Sequence, residues 1–304
     1  MHLYKNKEDF QLIKGNDPLQ EVRVNELGTP IDIFRCLTTH DDPTIHAKYS
    51  YSPDTVESIF KSIHNQLYDL LGNDTKFWMI SFECRSEART HSLPLLQNIQ
   101  KLDLFWTDVE PTKIDEFLDR STCLEQFSWT ISSEQPIQLR ENSKFHDLDT
   151  VYVYAPYYNP CPQIYDILKR FNGRHAFLSS GDINTSVFIQ FLNEWKLGNK
   201  FKNLELISLY RRFNLQEIRN SVEIKEVDRE VKYSFITKFE DHYINFDHLE
   251  SGEFKSRSYM VRESDGHVAS LMLTRDLTMM GVWKMTEKEF LIKFNQPIEA
   301  VPFL

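Results

Sequence analysis

Short apolar, β-prone runs recur along the middle of the chain at nearly even spacing. They occupy residues 77–82, 102–106, 124–131, 148–154, 176–179 and 204–209. Their centres fall near residues 79, 103, 128, 152, 177 and 206, so the intervals are 24, 25, 24, 25 and 29. Several of the stretches between them switch to a helical period. Pro111, suited to a first helical position, opens residues 112–120, where Ile114, Phe117 and Leu118 share a face. Pro162 opens the next, with Ile164, Ile167, Leu168 and Phe171 in helical spacing. Asn184 or Thr185 can cap a third, apolar at Val187, Phe188, Phe191, Leu192 and Trp195 and stopped by Gly198. Segment 132–147 has no helical pattern.

One strand and one helical or irregular segment per 24–29 residues is the spacing of leucine-rich repeats. Four units carry L-x-x-L-x-L spacing: Ile99/Leu102/Leu104, Leu124/Phe127/Trp129, Leu148/Val151/Val153 and Phe201/Leu204/Leu206. The Asn of ordinary repeats is replaced by Thr107, Ser132, Pro156 and Leu209, so the buried Asn ladder cannot form. The fold expected is α/β: an irregular, leucine-rich-repeat-like curved sheet, mostly parallel and in chain order, with outer helices. β-Hairpins flank it at both ends. Residues 21–24 and 31–37 alternate around Leu27-Gly28-Thr29-Pro30, and residues 258–263 and 267–273 alternate around Ser264-Asp265-Gly266. A long helix is predicted from Ser52-Pro53 to Gly72, and a further strand over 279–285. These elements suggest a β-rich segment 1–51, an α/β domain 52–210 and a C-terminal α+β extension 211–304.

Composition narrows the function classes. Of 304 residues, 41% are hydrophobic and 26% charged, which is a globular balance. Only 9 are Gly, too few to favour a phosphate-cradling P-loop or dinucleotide fold. The net charge is −10, of which −8 lies in the first 200 residues, and such a chain repels a nucleic-acid backbone. Lys196, Lys200, Lys202, Arg211 and Arg212 form the one local basic cluster and read as a solvated rim. Cys36, Cys84, Cys123 and Cys161 are isolated, giving no zinc or disulfide pattern, and reduced thiols fit a cytoplasmic or nuclear protein. No secretory leader opens the sequence and no 18-residue apolar run occurs, so neither secretion nor a membrane partner is expected.

The search for chemistry yields little. The closest His pairs, His40/His46 and His242/His248, are six apart and suit no helical metal clip. Asp241 and Asp247 make the second pair the better metal candidate, but solvated loop residues explain it equally. Ser179-Ser180-Gly181-Asp182 lies where a strand must turn into a helix and needs no nucleophile to account for it. No cofactor, metal or catalytic residue is assigned. What remains is a surface. If the L-x-x-L-x-L positions point inward, the intervening ones face an open side. Lys101, Asp103, Phe105, Gln126, Ser128, Thr130, Thr150, Tyr152, Tyr154, Asn203, Glu205 and Ile207 occupy them. Cover by a terminal segment is the alternative. The candidate protein-binding set is Lys101, Asp103, Phe105, Ser128, Thr130, Tyr152, Tyr154, Glu205 and Ile207, with Phe105 and the two Tyr as the expected anchors.

The stretch from Phe188 through Leu192, Trp195, Gly198 and Leu204 to Ile207 resembles the end of the type 2 F-box-associated domain, a nematode-expanded family. There a helix of "LNxFLxxWxxG" type is followed by an "LExLxI" strand. Residues 148–154, 164–168, 175–179 and 182–184 follow the same family order, and residues 259–270 resemble its "IxRxDGxxAT" hairpin. The resemblance covers roughly residues 55–275. It implies a non-enzymatic module that holds a protein substrate for a cullin–RING ubiquitin ligase, attached through an N-terminal F-box to the adaptor subunit. Residues 1–50 lack the L-P-x-x-hydrophobic opening and three short helices of an F-box, so this chain alone is not expected to bind the adaptor. Loss of the F-box and a truncated start both account for that. A free-standing interaction or decoy protein, unconnected to ubiquitin, is the alternative reading.

Overall fold

The computed structural model describes residues 2–4, 22–23, 30–31, 78–83, 99–107, 111–131, 139–155, 164–179, 184–236 and 252–294. The chain forms two compact units, Met1–Leu148 and Asp149–Leu304. The helix read over residues 52–72 lies outside the described residues.

In the first unit, β1 (His2–Tyr4) is followed by a two-stranded antiparallel pair, β2 (Val22–Arg23) and β3 (Pro30–Ile31), in which Val22 faces Ile31. This pair falls on the expected N-terminal hairpin, and the other residues of its two arms lie outside the described residues. β4 (Trp78–Glu83) pairs antiparallel with β1 and parallel with β5 (Ile99–Thr107), which pairs parallel with β6 (Gln126–Ile131). Helix α1 (Pro111–Arg120) crosses between the last two and buries Ile114, Phe117 and Leu118. Phe127 meets Trp129 and Phe145 edge to face, at 6.0 and 5.4 Å between ring centroids. The buried Asp115 carboxylate accepts from the backbone N–H of Arg140 at 2.9 Å, which fastens the 139–147 segment to α1.

In the second unit β7 (Thr150–Tyr154), β8 (His175–Ser179) and β9 (Leu206–Tyr210) are parallel and in chain order. Helix α2 (Ile164–Arg170) and helix α3 (Thr185–Leu197) are the crossovers between them. The Asn184 side chain accepts from the Val187 N–H, and Gly198 ends α3 at φ 77, a left-handed position that suits glycine. Phe188, Phe191, Leu192 and Trp195 are buried along one side of α3, in the helical phase read from the sequence. Helix α4 (Leu215–Ser221) then leads into four antiparallel strands. These are β10 (Lys225–Ser234), β11 (Glu253–Val261), β12 (His267–Leu273) and β13 (Leu277–Thr286), and α5 (Glu287–Phe294) follows. The order in the sheet is β7-β8-β9-β13-β12-β11-β10. β11 and β12 are the expected C-terminal hairpin, and β13 is the expected further strand.

Two features differ from expectation. The last unit has the opposite phase: His175 faces Leu206 and Ala176 faces Ile207, so Leu206 lies on the Tyr152–Phe177 side and Ile207 on the Ala176–Leu178 side. A one-residue shift in strand phase moves every side chain to the other face. Residues 211–304 also are no separate extension, because β13 inserts directly beside β9. The antiparallel strands then curl back over the sheet. Tyr233 of β10 sits on Gly281 of β13, three strands away, and its hydroxyl donates to the carbonyls of Glu205 (2.8 Å) and Val282 (3.2 Å). Tyr152, Phe177, Leu206, Tyr233, Phe254, Leu277 and Met279 form one core cluster inside this curl. The mixed α/β architecture stands; a leucine-rich-repeat-like character of the sheet is not shown.

Trp195→Ala is expected to lower unfolding stability by about 3–5 kcal/mol in a denaturant titration, as a fully buried large-to-small change. A Cβ at residue 281 would lie 2.5 Å from the Tyr233 ring. Gly281→Ala is therefore expected to cost about 1–3 kcal/mol. In a Tyr233→Ala background the same change costs measurably less, because the two positions are in contact.

Candidate functional site

Most of the residues expected on an open face are interior, although Asn203 is exposed. Lys101 and Asp103 are 1% and 0% exposed, with Lys101 Nζ 3.3 Å from Asp103 Oδ2. Register places Gln126 beside Lys101 and Ser128 beside Asp103, and Gln126, Ser128 and Thr130 are buried as well. The pairing of opposite charges offsets part of the cost of burying Lys101 and Asp103. Phe105 is in β5, and its side chain lies outside the described residues. In the second unit Tyr152 stacks on Phe177, 4.3 Å between centroids and 7° from parallel, deep in the curled core. Ile207 is buried on the opposite face, for the phase reason given above. Tyr154 is half-buried at the end of β7. Glu205 remains partly exposed but is committed to ion pairs described below. The open binding face is thus corrected: in the second unit β10 and β11 return over it.

Charged and polar groups collect instead where β7, β8 and β9 begin. Arg174 makes a two-pronged contact with Asp149, at 2.5 and 2.7 Å. His175 follows it, 2% exposed, its Nδ1 3.2 Å from Thr150 Oγ1 and its Nε2 3.7 Å from Glu205 Oε2. Lys284 of β13 reaches Glu205 Oε1 at 2.6 Å. Burial, aided by Arg174 and Lys284, pushes the His175 pKa below its ordinary range, while Asp149 and Glu205 act the other way. For Asp149, burial raises the carboxyl, but hydrogen bonding and attraction from Arg174 outweigh it and hold it low. The chain hydroxyl–imidazole–carboxylate has the order of a nucleophile relay. Thr150 is 1% exposed, however, and a hydroxyl enclosed by the sheet reaches no substrate. Here the arrangement joins β7, β8, β9 and β13. The sequence did carry a signal for it: Asp149-Thr150, Arg174-His175 and Glu205 stand at equivalent strand starts, so the period itself aligned them.

A second constellation ties the C-terminal hairpin to α3. The Arg262 guanidinium lies 5.4 Å from the Trp195 ring centroid and binds Asp265 through Nε (2.9 Å) and Nη2 (2.7 Å). Its Nη2 is also 2.9 Å from His267 Nδ1. The Glu263 N–H donates to the Lys196 carbonyl at 2.7 Å. Gly198 abuts Ser264 so closely that any Cβ at residue 198 would overlap it. The Asp265 carboxyl is raised by burial but brought lower overall by Arg262 and by the His267 N–H.

The basic cluster read from the sequence divides. Lys196, Lys200 and Lys202 precede β9, whereas Arg211 and Arg212 follow it, about 17 Å along the strand. Lys196 pairs with Glu223 and Glu263, Lys200 with Glu194 and Arg212 with Asp276. His242/His248 and residues 180–183 lie outside the described residues. Among the described residues no group of three His, Cys, Asp or Glu side chains is placed to hold a metal ion, and no helix is long and apolar enough to cross a membrane. Comparison with protein-family models, with curated proteins and with solved structures finds no match for this chain.

Because His175 is held below its ordinary range, the unfolded chain takes up the proton first. Its contribution is complete above the unfolded value and is lost as pH falls through about 6.5 towards the lower folded value. The wild-type chain should therefore lose more unfolding free energy between about pH 7.5 and 5.5 than His175→Gln does, measured by urea titration at each pH. Parallel curves for the two proteins would remove His175 from that balance.

Proposed function

We propose that the chain is a non-enzymatic protein-binding module similar to the substrate-recognition part of type 2 F-box-associated proteins. The observation that carries the reading is the contact between Trp195 and Gly198 of α3 and Arg262, Ser264 and Asp265 of the β11–β12 hairpin. These residues come from the two separate stretches in which the family pattern was read. The Trp, Gly, Arg and Asp of those patterns converge on one contact. Such convergence supports reading the two stretches as parts of one domain rather than as accidental likenesses. The burial of Thr150 and His175 supports a structural rather than a catalytic use of the best hydroxyl–imidazole pair.

On this reading the chain works in the cytosol or nucleus, and its partner is a protein whose identity the sequence does not name. Because the face carrying Tyr152 and Phe177 is closed, the partner docks elsewhere on the module. Attachment to a ligase depends on a segment that residues 1–50 do not provide in recognisable form.

The full chain, co-expressed with the cullin-ligase adaptor, is expected to elute apart from it on gel filtration. With an F-box fused ahead of Met1 the two should co-elute. A protein captured by the chain from native extract should then be ubiquitinated by the reconstituted ligase. A captured protein that the fused ligase leaves unmodified would favour the free-standing reading. Stable co-elution of the unfused chain would overturn the view that its own N-terminal segment does not dock the adaptor.

A further inference from the structure

We propose that Asn172-Gly173, in the connection that feeds β8, is a site of covalent self-modification. The Gly173 amide nitrogen attacks the Asn172 side chain, ammonia leaves, and water opens the resulting succinimide to aspartate and isoaspartate. An Asn followed by Gly occurs once in the chain. Glycine is the successor that favours this reaction, because no Cβ obstructs its nitrogen and its backbone reaches the folded-back geometry of a five-membered ring. The pair lies between α2, which ends at Arg170, and β8, which starts at His175, so neither a helix nor a strand ladder fixes it. Asn172 is exposed, which lets water enter and ammonia depart. Gly173 is buried, but its attack is internal to the chain and needs no incoming molecule to reach it.

The contacts around the pair promote the chemistry. Asn203 Nδ2 donates to the Asn172 backbone carbonyl at 2.9 Å and lies 3.4 Å from Asn172 Oδ1. One donor thereby gathers the side-chain amide beside the Asn172–Gly173 peptide group. Its bond to the backbone carbonyl makes the Gly173 N–H more acidic. Its approach to Oδ1 favours the charge that collects on that oxygen as the nitrogen adds to Cγ. The bond from Gly173 N to Cγ forms, the bond from Cγ to the amide nitrogen breaks, and the Gly173 amide proton leaves with the ammonia. Water then adds at Cγ, which gives isoaspartate when the main-chain bond to Gly173 moves to Cγ and aspartate when it stays in place. No oxidant or reductant enters.

The place in the fold gives the reaction a consequence. The next two N–H groups, of Arg174 and His175, donate to the Asp149 carbonyl at 2.8 and 3.0 Å. Both residues belong to the polar cluster that joins β7, β8, β9 and β13. Aspartate adds a charge and leaves the main chain as it was. Isoaspartate adds a main-chain atom just ahead of those contacts and disturbs the register they set. The site goes beyond the binding-module reading and stands without it.

The test incubates the full chain at mildly alkaline pH in water enriched in 18O, then digests it with trypsin in ordinary water. Cleavage after Arg170 and Arg174 releases Phe171–Arg174, which is compared by chromatography and mass with synthetic standards carrying asparagine, aspartate or isoaspartate. Labelled aspartate and isoaspartate are expected at least about tenfold faster than at Asn142 or Asn220, which are exposed but followed by Ser. Gly173→Ala should slow the reaction about tenfold. Asn203→Ala, which keeps the glycine, should slow it as well and serves should the first variant fail to fold. The isoaspartate form, separated from the rest, should unfold at lower urea than Asn172→Asp. An Asn172 that stays intact in the folded chain yet reacts in urea would overturn the site. An unchanged rate in Asn203→Ala would overturn the part given to Asn203, and equal unfolding of the isoaspartate form and Asn172→Asp would overturn the effect on register.

Discussion

Tyr233 can lie across β13 only because Gly281 presents no side chain beneath it, and its hydroxyl uses that approach to reach the carbonyls of Glu205 and Val282. Burial, with Glu205 nearby, pushes the phenol pKa up, so the group stays a neutral donor between two acceptors. β10, paired with β11 at the edge of the sheet, thereby reaches back over β13, three strands away. The side of β7, β8 and β9 that carries Tyr152, Phe177 and Leu206 then becomes an interior, completed by Phe254, Leu277 and Met279. Gly281 is the kind of strand glycine that marks a close approach of another chain segment rather than a flexible point.

The curl leaves β10 as a sheet edge, and its composition answers the hazard of an unpaired strand. Glu226, Asp228, Glu230 and Lys232 are exposed along it, while Val227, Val231 and Tyr233 are buried. Its pairing with β11 slips between Glu226 and Val231, so the edge is bulged as well as charged. Helix α5 fills the rest of the concave side, with Phe290 against Tyr259 and Trp283. The Tyr259 hydroxyl donates to Glu287, and its pKa is pushed up to about 12, by burial first and by that carboxylate second.

All six strands of the repeating pattern are where the period put them, as are the helices opened by Pro111 and Asn184, because local spacing and caps set those elements. The face assignment was not legible in the same way. A strand apolar on both sides reads alike in either phase, and Leu204-Glu205-Leu206-Ile207 has apolar residues at both. Nor does a strand record what will cover it, since Tyr152 as an interface anchor and Tyr152 as a core ring are the same residue. β10 was missed because Lys225–Ser234 holds few apolar residues. The short helices could have been found: Thr286 and Glu289 form a reciprocal capping pair ahead of α5, and Asn214 caps α4 through the Glu217 N–H.

The two edges of the parallel strands are unlike in their electrostatics. Where the strands begin, Arg174 is answered by Asp149, Lys284 by Glu205, and His175 is kept neutral between them. Those charges are spent on holding four strands in register, and a ligand arriving there would have to displace contacts already made. Where the strands end, Arg212 is answered by Asp276, and the enclosed Arg211 Nε has no hydrogen-bond acceptor among the described residues.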